Sequence, residues 1–428
     1  MTLHKTLRSM LMDVVADRRM LLATLSILCR SLTAFFVVIV ISRILGVTGF
    51  AEFTYCLVAA SLLALPIDYG LELKLLRDGA LNKNRVPELT TSTTLTKLSL
   101  VIPTTLVFLL LVEIGALDET LYRSLLAMFS AQVAYSFSRH FLVPYRICSQ
   151  YHTEFLLTFL TELAVLALCI VGAVVYASST GAALGFSLGR ILGLLIIGIV
   201  YLRRFGFRFE RTRIVDQLKV GMPFALHTIV AALYLNIDVL IIRQFISTFD
   251  LGIYQAGIRS VMAACLLALV VQNLFLPRLA ESVGSYELFE TLKRKYLLLT
   301  VCGGMLVSVL VVIFSESLIR LVFGSEFLSL SEMVPYFALV ILMRYIGSVY
   351  GILLTIVPRG QTLRAVAAVA SLAIVIVGDL MFVPDYGIWG ALGVLIGSHL
   401  VINAIYVAYW HTSGTRHMTA LNRSGTSY

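Results

Sequence analysis

Long apolar runs dominate the chain. About twelve stretches of roughly 20 to 27 residues are predominantly apolar, the length that an α-helix needs to cross about 30 Å of hydrocarbon. They lack the two-residue alternation of barrel strands. The pattern predicts an all-α polytopic membrane protein with about twelve transmembrane helices. The predicted spans are residues 20–45, 50–72, 91–113, 121–145, 153–177, 182–203, 220–246, 251–276, 295–314, 331–357, 362–384 and 387–410.

Composition excludes a water-soluble fold. Of the 428 residues, 59% are hydrophobic and 13% are charged, and the mean hydropathy is +0.94. Soluble domains carry about 25% charged residues. The six cysteines are scattered singly, so we expect no disulfide and no metal site.

The basic residues set the expected orientation. Most of the 33 lysines and arginines fall in loops on the side of the N-terminus, which the positive-inside rule makes cytoplasmic. Both termini are therefore predicted to be cytoplasmic. The net charge of +9 suits anionic lipid headgroups and requires no nucleic acid. The predicted segments are an amphipathic N-terminal segment (1–19), a six-helix lobe (20–203), a basic linker (204–219), a second six-helix lobe (220–410) and a cytoplasmic tail (411–428).

The two halves carry related signals. Arg43 ends the first span and Arg243 ends the seventh, and each is followed by a short turn and an aromatic residue. The next span of each half leaves the membrane near a proline, Pro66 or Pro277. Two six-helix repeats with the same orientation are typical of transporters, whose substrate path lies at the repeat interface. We therefore expect two lobes around a central cavity.

Short motifs carry a family resemblance. They resemble the polysaccharide exporter branch of the MATE-like (MOP) flippases, which includes the Wzx-type O-antigen translocases. The motifs are Ser42-Arg43-Ile44-Leu45-Gly46, Gly49-Phe50-Ala51-Glu52-Phe53, Asp68-Tyr69-Gly70-Leu71, Arg77-Asp78-Gly79-Ala80 and Leu251-Gly252-Ile253-Tyr254. The resemblance implies that two rocking lobes move a polyprenyl-pyrophosphate-linked oligosaccharide, an O-antigen or exopolysaccharide repeat unit, from the inner to the outer leaflet. It also implies a multi-pass protein of the bacterial cytoplasmic (inner) membrane.

Arginines within the spans suit such a cargo. A charge at mid-bilayer depth costs about 2.5 to 3.5 kcal/mol, so each is expected to face protein or water. The planar guanidinium offers paired hydrogen bonds to a phosphate and keeps its charge. The alternative for each is structural pairing with Glu154, Glu162 or Asp238, or snorkelling for Arg139. The expected substrate-binding arginines are Arg30, Arg259, Arg190, Arg344 and Arg139.

Other polar residues of the spans are candidates for the cavity wall or for ion coupling. Helical spacing places Ser26 on the face of Arg30, and Gln255 on that of Arg259. Tyr234 and Asn403 lie on polar stripes of the seventh and twelfth spans. Asp238 and Glu162 are the candidates to exchange a coupling proton or sodium ion, because a carboxylate in a low dielectric binds a proton more readily. The alternative is a carboxylate neutralised by a nearby arginine.

Two charged residues are expected to need no functional role. Lys97 lies about two turns inside the third span, where a lysine is expected to snorkel to the interface. Asp379 lies near the outer end of the eleventh span and is expected to be solvated.

Two other function classes remain open. A multidrug or other small-molecule exporter of the same superfamily is the first. A membrane glycosyltransferase or polymerase is less favoured, because only the 315–330 outward loop offers room and no catalytic constellation is present, so we expect no enzyme. We expect a monomer without cofactors, whose partners are the lipid-linked oligosaccharide, membrane lipids and a polymerase or glycosyltransferase of the same pathway.

Overall fold

The first compact part of the chain is helical throughout. A computed structural model describes residues 18–115, 118–210, 213–357 and 359–414, and no strand occurs among them. Residues Arg19–Leu240 form one compact unit, here the first unit. Its helices are α1 (Arg18–Leu63), α2 (Leu65–Asp68), α3 (Leu71–Leu81), α4 (Val86–Ile114), α5 (Glu119–Ile147), α6 (Tyr151–Tyr176), α7 (Ser179–Arg204) and α8 (Ile214–Ile242).

The described residues from Ile241 onwards belong to the other compact unit, here the second unit. The predicted 315–330 loop is not a loop, because most of it forms a short helix and a 3-10 helix (Ser325–Glu332). The predicted division into lobes at residues 204–219 stays a prediction. The helices of the second unit are α9 (Thr248–Ala264), α10 (Leu266–Glu281), α11 (Tyr286–Ile313), α12 (Ser315–Val322), α13 (Val334–Ile356) and α14 (Gly360–Tyr409).

Two glycines interrupt the longest helices. Gly46 (φ 65°, ψ −169°) breaks α1, and Gly387 (φ 56°, ψ −135°) breaks α14. Glycine adopts positive φ without a Cβ clash, so the direction of the chain can change at these positions. A straight helix of 50 residues, the length of α14, would extend about 75 Å, far beyond a bilayer core of about 30 Å. Gly46 lies in the predicted gap between the first two spans, and Gly387 directly follows the predicted gap at 385–386 between the last two.

The described residues contain eight helices long and apolar enough to cross a membrane, or nine when the bent α8 is counted as one span. Two of the eight, within α1 and α14, contain the glycine breaks. Helix α5 has 29 residues but is more polar than its neighbours. The chain is thus a multi-pass helical membrane protein, while the count of twelve spans and the cytoplasmic termini stay predictions.

Glycines bring α6 and α7 into close contact. A Cβ at Gly185 of α7 would overlap the carbonyl oxygen of Leu168 on α6, and one at Gly189 would lie 2.6 Å from the Cα of Val165. Backbones approach this closely only where small residues line the contact. The seam fixes α6 and α7 relative to each other, and each carries a charged residue of the site described below.

The chain after α7 folds back onto the first unit. Arg85, at the start of α4, pairs with Glu210, and the backbone N–H of Arg208 donates to Thr91 Oγ1 at 3.0 Å. Lys74 of α3 donates to the side chain of Gln217 on α8. The described part of the predicted linker is therefore anchored to the ends of α3 and α4.

The second unit has its own apolar core. It contains Phe275 of α10, Tyr296 of α11, Val349 of α13 and Trp410, which follows α14. Phe275 and Tyr296 stack with ring centroids 5.0 Å apart. These contacts hold four helices around one buried cluster.

Candidate functional site

Three of the predicted arginines line one small cavity of the first unit. Arg30 comes from α1, Arg139 from α5 and Arg190 from α7, and Glu162 of α6 lies with them. The cavity has a volume of about 20 Å³, which is room for about one water molecule. The sequence placed these four residues on four separate spans, and the structure brings them together.

Arg190 is held by a carboxylate and by two aromatic rings. Its Nη1 lies 2.7 Å from Oε1 of Glu162, whose side chain is 3% exposed. The guanidinium also lies over the rings of Tyr135, at 4.3 Å from the centroid, and Phe186, at 5.1 Å. The structural pairing that the sequence left open for Arg190 is thus present, with Glu162 as the partner. Glu162 is correspondingly an ion-paired carboxylate in this structure.

Arg139 pairs with an acid that the sequence did not suggest. Its Nη2 lies 2.6 Å from Oε2 of Glu72 on α3. Glu154, which was considered as a partner for the span arginines, binds Arg146 instead at 2.6 Å. Tyr135, four residues before Arg139, lies under both Arg139 and Arg190. The helical i, i+4 spacing could have revealed Tyr135, whereas nothing in the sequence points to Glu72.

Arg30, the third arginine of this cavity, lacks a hydrogen bond at one of its guanidinium nitrogens. Its Nη1 is buried and has no hydrogen-bond partner within the part of the chain that the structure describes. The neighbouring Ser26 is 1% exposed, and its hydroxyl donates to the carbonyl oxygen of Leu22 at 3.1 Å. Three guanidinium groups therefore share this region with the two carboxylates of Glu72 and Glu162, which leaves an excess of positive charge.

Lys97 does not snorkel, so that expectation was wrong. Its side chain is 0% exposed, and its Nζ donates to Oδ1 of Asp68 and to the carbonyl oxygen of Ser136, both at 3.0 Å. The break between α1 and α2 near Pro66 brings Asp68 beside α4, where it supplies a counter-charge. Asp68 belongs to one of the sequence motifs, yet its charge partner was missed.

The predicted cations of the second unit have different surroundings. Arg344 on α13 makes no ion pair with any described residue. Arg259 on α9 donates to the sulfur of Met262 at 3.8 Å. Gln255, also on α9, is 1% exposed, and its Nε2 has no hydrogen-bond partner among the described residues. Asn403 on α14 donates to the carbonyl oxygens of Met343 and His399, so it ties α13 to α14.

The remaining predicted polar residues lie on α8, which carries Tyr234 and Asp238. Asp238 is 8% exposed, and the Tyr234 side chain is half-buried. Asp379 on α14 is 1% exposed, so the expectation that it is solvated was wrong. It lies eight residues before the Gly387 break. The two parts of this helix pack on each other, with Gly378 against Val394.

The sequence comparisons identify the family. The family model described as polysaccharide biosynthesis protein matches residues 18–283, more than half of the chain. The chain therefore belongs to the polysaccharide biosynthesis protein family, which confirms the resemblance seen in the motifs. No curated protein matches the sequence significantly.

Solved structures with the same fold are transporters. An inward-facing multidrug resistance MATE transporter of the MOP superfamily matches with a TM-score of 0.72 and 14% identity, over 92% of this chain and 96% of that chain. A mutant of the Vibrio cholerae MATE transporter VcmN has a TM-score of 0.59 and 16% identity over 98% and 99%. A MOP superfamily transporter from Pyrococcus furiosus, described as having a binding pocket of reverse polarity, has a TM-score of 0.60 and 14% identity over 94% and 95%. The chain has a MATE-like transporter fold.

Proposed function

We propose that this protein is a flippase that moves a polyprenyl-pyrophosphate-linked oligosaccharide from the inner to the outer leaflet of the bacterial cytoplasmic membrane by alternating access. The polysaccharide biosynthesis family and the MATE-like fold support a membrane transporter that acts in glycan export. The cargo combines an anionic pyrophosphate and a glycan, which must cross hydrocarbon, with a lipid tail that can remain in it.

The observation that carries the proposal is the convergence of Arg30, Arg139 and Arg190 on one cavity. Charged residues in a membrane interior are expensive, and those present usually serve a substrate or ion path. Two carboxylates accompany three guanidinium groups, so the region attracts an anion. A pocket for organic cations would need the opposite excess of charge.

The cavity in this conformation is too small for the cargo. About 20 Å³ holds about one water molecule, whereas a pyrophosphate needs several times that volume. Arg190 and Arg139 are also occupied by Glu162 and Glu72. In the proposed cycle the helices separate, and the pyrophosphate replaces these carboxylates as the partner of the guanidinium groups. The Arg30 Nη1, which is buried without a partner among the described residues, is the first donor available to it.

Ion coupling is a further part of the proposal. Asp238, which is 8% exposed, and Glu162, which is 3% exposed, are buried carboxylates of the first unit. A proton or sodium gradient could drive the cycle if one of them binds the ion in only one conformation.

The test compares two cargo classes in one preparation. Purified protein is reconstituted into vesicles with a fluorescent lipid-linked oligosaccharide in one set and a fluorescent organic cation in another. We expect protein-dependent flipping of the first and no protein-dependent transport of the second. Transport of the organic cation without flipping of the lipid-linked oligosaccharide would replace the proposal with the multidrug exporter alternative.

A further inference from the structure

A buried ammonium group and its hydrogen-bond partners connect three helices of the first unit; this arrangement is called the clamp below. Lys97 of α4 is 0% exposed, and its Nζ donates to Oδ1 of Asp68 at 3.0 Å and to the carbonyl oxygen of Ser136 on α5 at 3.0 Å. The hydroxyl of Ser136 donates to the same Asp68 oxygen. Asp68 ends α2, so one carboxylate oxygen joins α2, α4 and α5.

The two charged partners differ in their exposure. The Asp68 side chain is 25% exposed, whereas that of Lys97 is fully buried. The carboxylate is thus the more open of the two groups, while the ammonium is enclosed. An ammonium group in a low dielectric is costly without a counter-charge, so the clamp depends on the ionised form of Asp68.

Among the described residues, the charged and titratable groups that act on Asp68 from neighbouring helices lie on α4 and α5. Lys97 faces it from α4, and Arg139 and His140 face it from α5, while Glu72 of α3 binds Arg139 at 2.6 Å. His140 is 0% exposed, and its Nε2 lies 3.2 Å from the hydroxyls of Thr93 and Thr94. With neutral His140 the cluster holds two positive and two negative charges, so adding one proton leaves one uncompensated positive charge.

We propose that Asp68 is the proton-binding carboxylate of this transporter. Its protonation breaks the ion pair with Lys97 and so frees the helices that this pair holds together. In the step, one proton passes from water to the Asp68 carboxylate, while Lys97 keeps its own proton. The neutral acid no longer balances the ammonium, so this packing of α2, α4 and α5 becomes unfavourable. Proton binding and the clamped arrangement exclude each other, as coupling to a conformational change requires. The inference rests on the ion coupling of the proposed function and gives it a site other than Asp238 or Glu162.

The first experiment needs no cargo. Infrared difference spectra of the purified protein in lipid vesicles, recorded on acidification, report the protonation of individual carboxyl groups. The test variant combines Asp68→Asn with Lys97→Met, which removes both charges and leaves neither partner stranded. The matched control combines Glu154→Gln with Arg146→Met, a second ion pair of the first unit with a carboxylate that is 1% exposed.

We expect one carboxyl band of the parental protein to be missing from the Asp68→Asn/Lys97→Met variant and present in the control. A test variant that keeps every carboxyl band of the parent would overturn the inference. If the test variant does not fold, Asp68→Glu replaces it, because a longer acid shifts the pH midpoint of that band. An unshifted midpoint in Asp68→Glu would also overturn the inference.

The second experiment uses the lipid-linked oligosaccharide with and without a pH gradient. We expect the gradient to stimulate flipping by the parent and by the control, and to leave the Asp68→Asn/Lys97→Met variant at the same rate in both conditions. Retained stimulation in that variant would contradict the role of Asp68. Absence of flipping by the parental protein would refute the proposed function, and the infrared spectra would then decide alone on proton binding by Asp68.

Discussion

The intramembrane cations of the two units differ in whether a carboxylate pairs with them. In the first unit, Lys97, Arg139 and Arg190 each lie within 3.0 Å of a carboxylate oxygen. In the second unit, Arg344 makes no ion pair with any residue that the structure describes. Three cations of the first unit are therefore held in ion pairs, whereas Arg30 of that unit and Arg344 of the second make no ion pair with a described residue and can offer their charge to a ligand.

The difference separates structural from functional roles of a charge. Removal of one partner of a buried pair leaves the other charge buried, so stability falls sharply. Removal of a cation without an ion-paired partner strands nothing, so its loss is expected to affect anion binding more than folding. Replacing a member of an ion pair should therefore mainly lower stability, whereas replacing an arginine without an ion pair, such as Arg344, should mainly lower transport.

The largest loss of stability is expected from Glu162→Gln. The amide cannot neutralise Arg190, whose side chain is 14% exposed, so the free energy of unfolding should fall by about 3 to 5 kcal/mol. Thermal unfolding of the purified protein measures the loss, and adding Arg190→Met should restore most of it. Glu119→Gln, which breaks the exposed pair with Arg123, is the control and should change little. Equal stability of Glu162→Gln and the parent would show that the network does not hold the first unit together.

The next effect tests the seam that positions this pair. Gly185→Leu inserts a side chain where a Cβ already overlaps the Leu168 carbonyl oxygen, and overpacking costs about 1 to 3 kcal/mol. Gly198→Leu on the same helix is the control, because no atom lies within 4 Å of a Cβ there. Thermal unfolding should separate the two variants. If both unfold at the same temperature, the approach of α6 and α7 does not fix Arg190 beside Glu162.

Part of this arrangement could be predicted from the sequence. The apolar runs gave the helical membrane fold, and the turns at Gly46 and Gly387 appeared as short gaps between spans. Depth within a span also identified Arg30 and Arg190 as interior charges. Helical spacing, however, relates residues of one helix only. It offered Glu162 as one of three possible acid partners but could not show that this carboxylate meets Arg190, 28 residues later on the neighbouring helix.

Lys97 shows where such reasoning fails. Its distance from the helix end predicted snorkelling, because a lysine near the interface normally extends to water. The break before α2 instead brings Asp68 to α4, so a counter-charge is available inside the protein. The fold of a short, irregular segment thus decided the environment of a residue 29 positions away.

Arg344→Ala should show the opposite balance to Glu162→Gln. No described carboxylate loses an ion pair, so the free energy of unfolding should change by no more than about 1 kcal/mol, as for an unpaired side chain. Flipping of the lipid-linked oligosaccharide, normalised to folded protein, should fall several-fold, with Arg344→Lys in between. A variant that unfolds readily would assign Arg344 to the structural class and remove the contrast between the units.

The smallest effect is expected at Asp78, in α3 between the long apolar helices. Burial alone would raise the pKa of this carboxyl, but hydrogen bonds from Arg77 and Lys74 outweigh it and hold the pKa below its usual value. Its contribution to stability is therefore present at neutral pH and is lost as the pH falls through the lowered pKa. Because the group is largely solvated, Asp78→Asn should only slightly reduce the loss of unfolding free energy that the protein shows as the pH falls. A steeper acid loss in this variant would contradict the assignment.

Flipping by arginine variants, normalised to folded protein, tests the central claim most directly. Arg30 of the first unit and Arg259 of the second are each replaced by lysine and by alanine, and the lipid-linked oligosaccharide is followed in reconstituted vesicles. If the guanidinium groups bind the pyrophosphate through paired hydrogen bonds, lysine keeps the charge but loses the fork and should remove much of the activity. Alanine should remove nearly all of it. Well-folded alanine variants that flip the cargo at the parental rate would contradict the account.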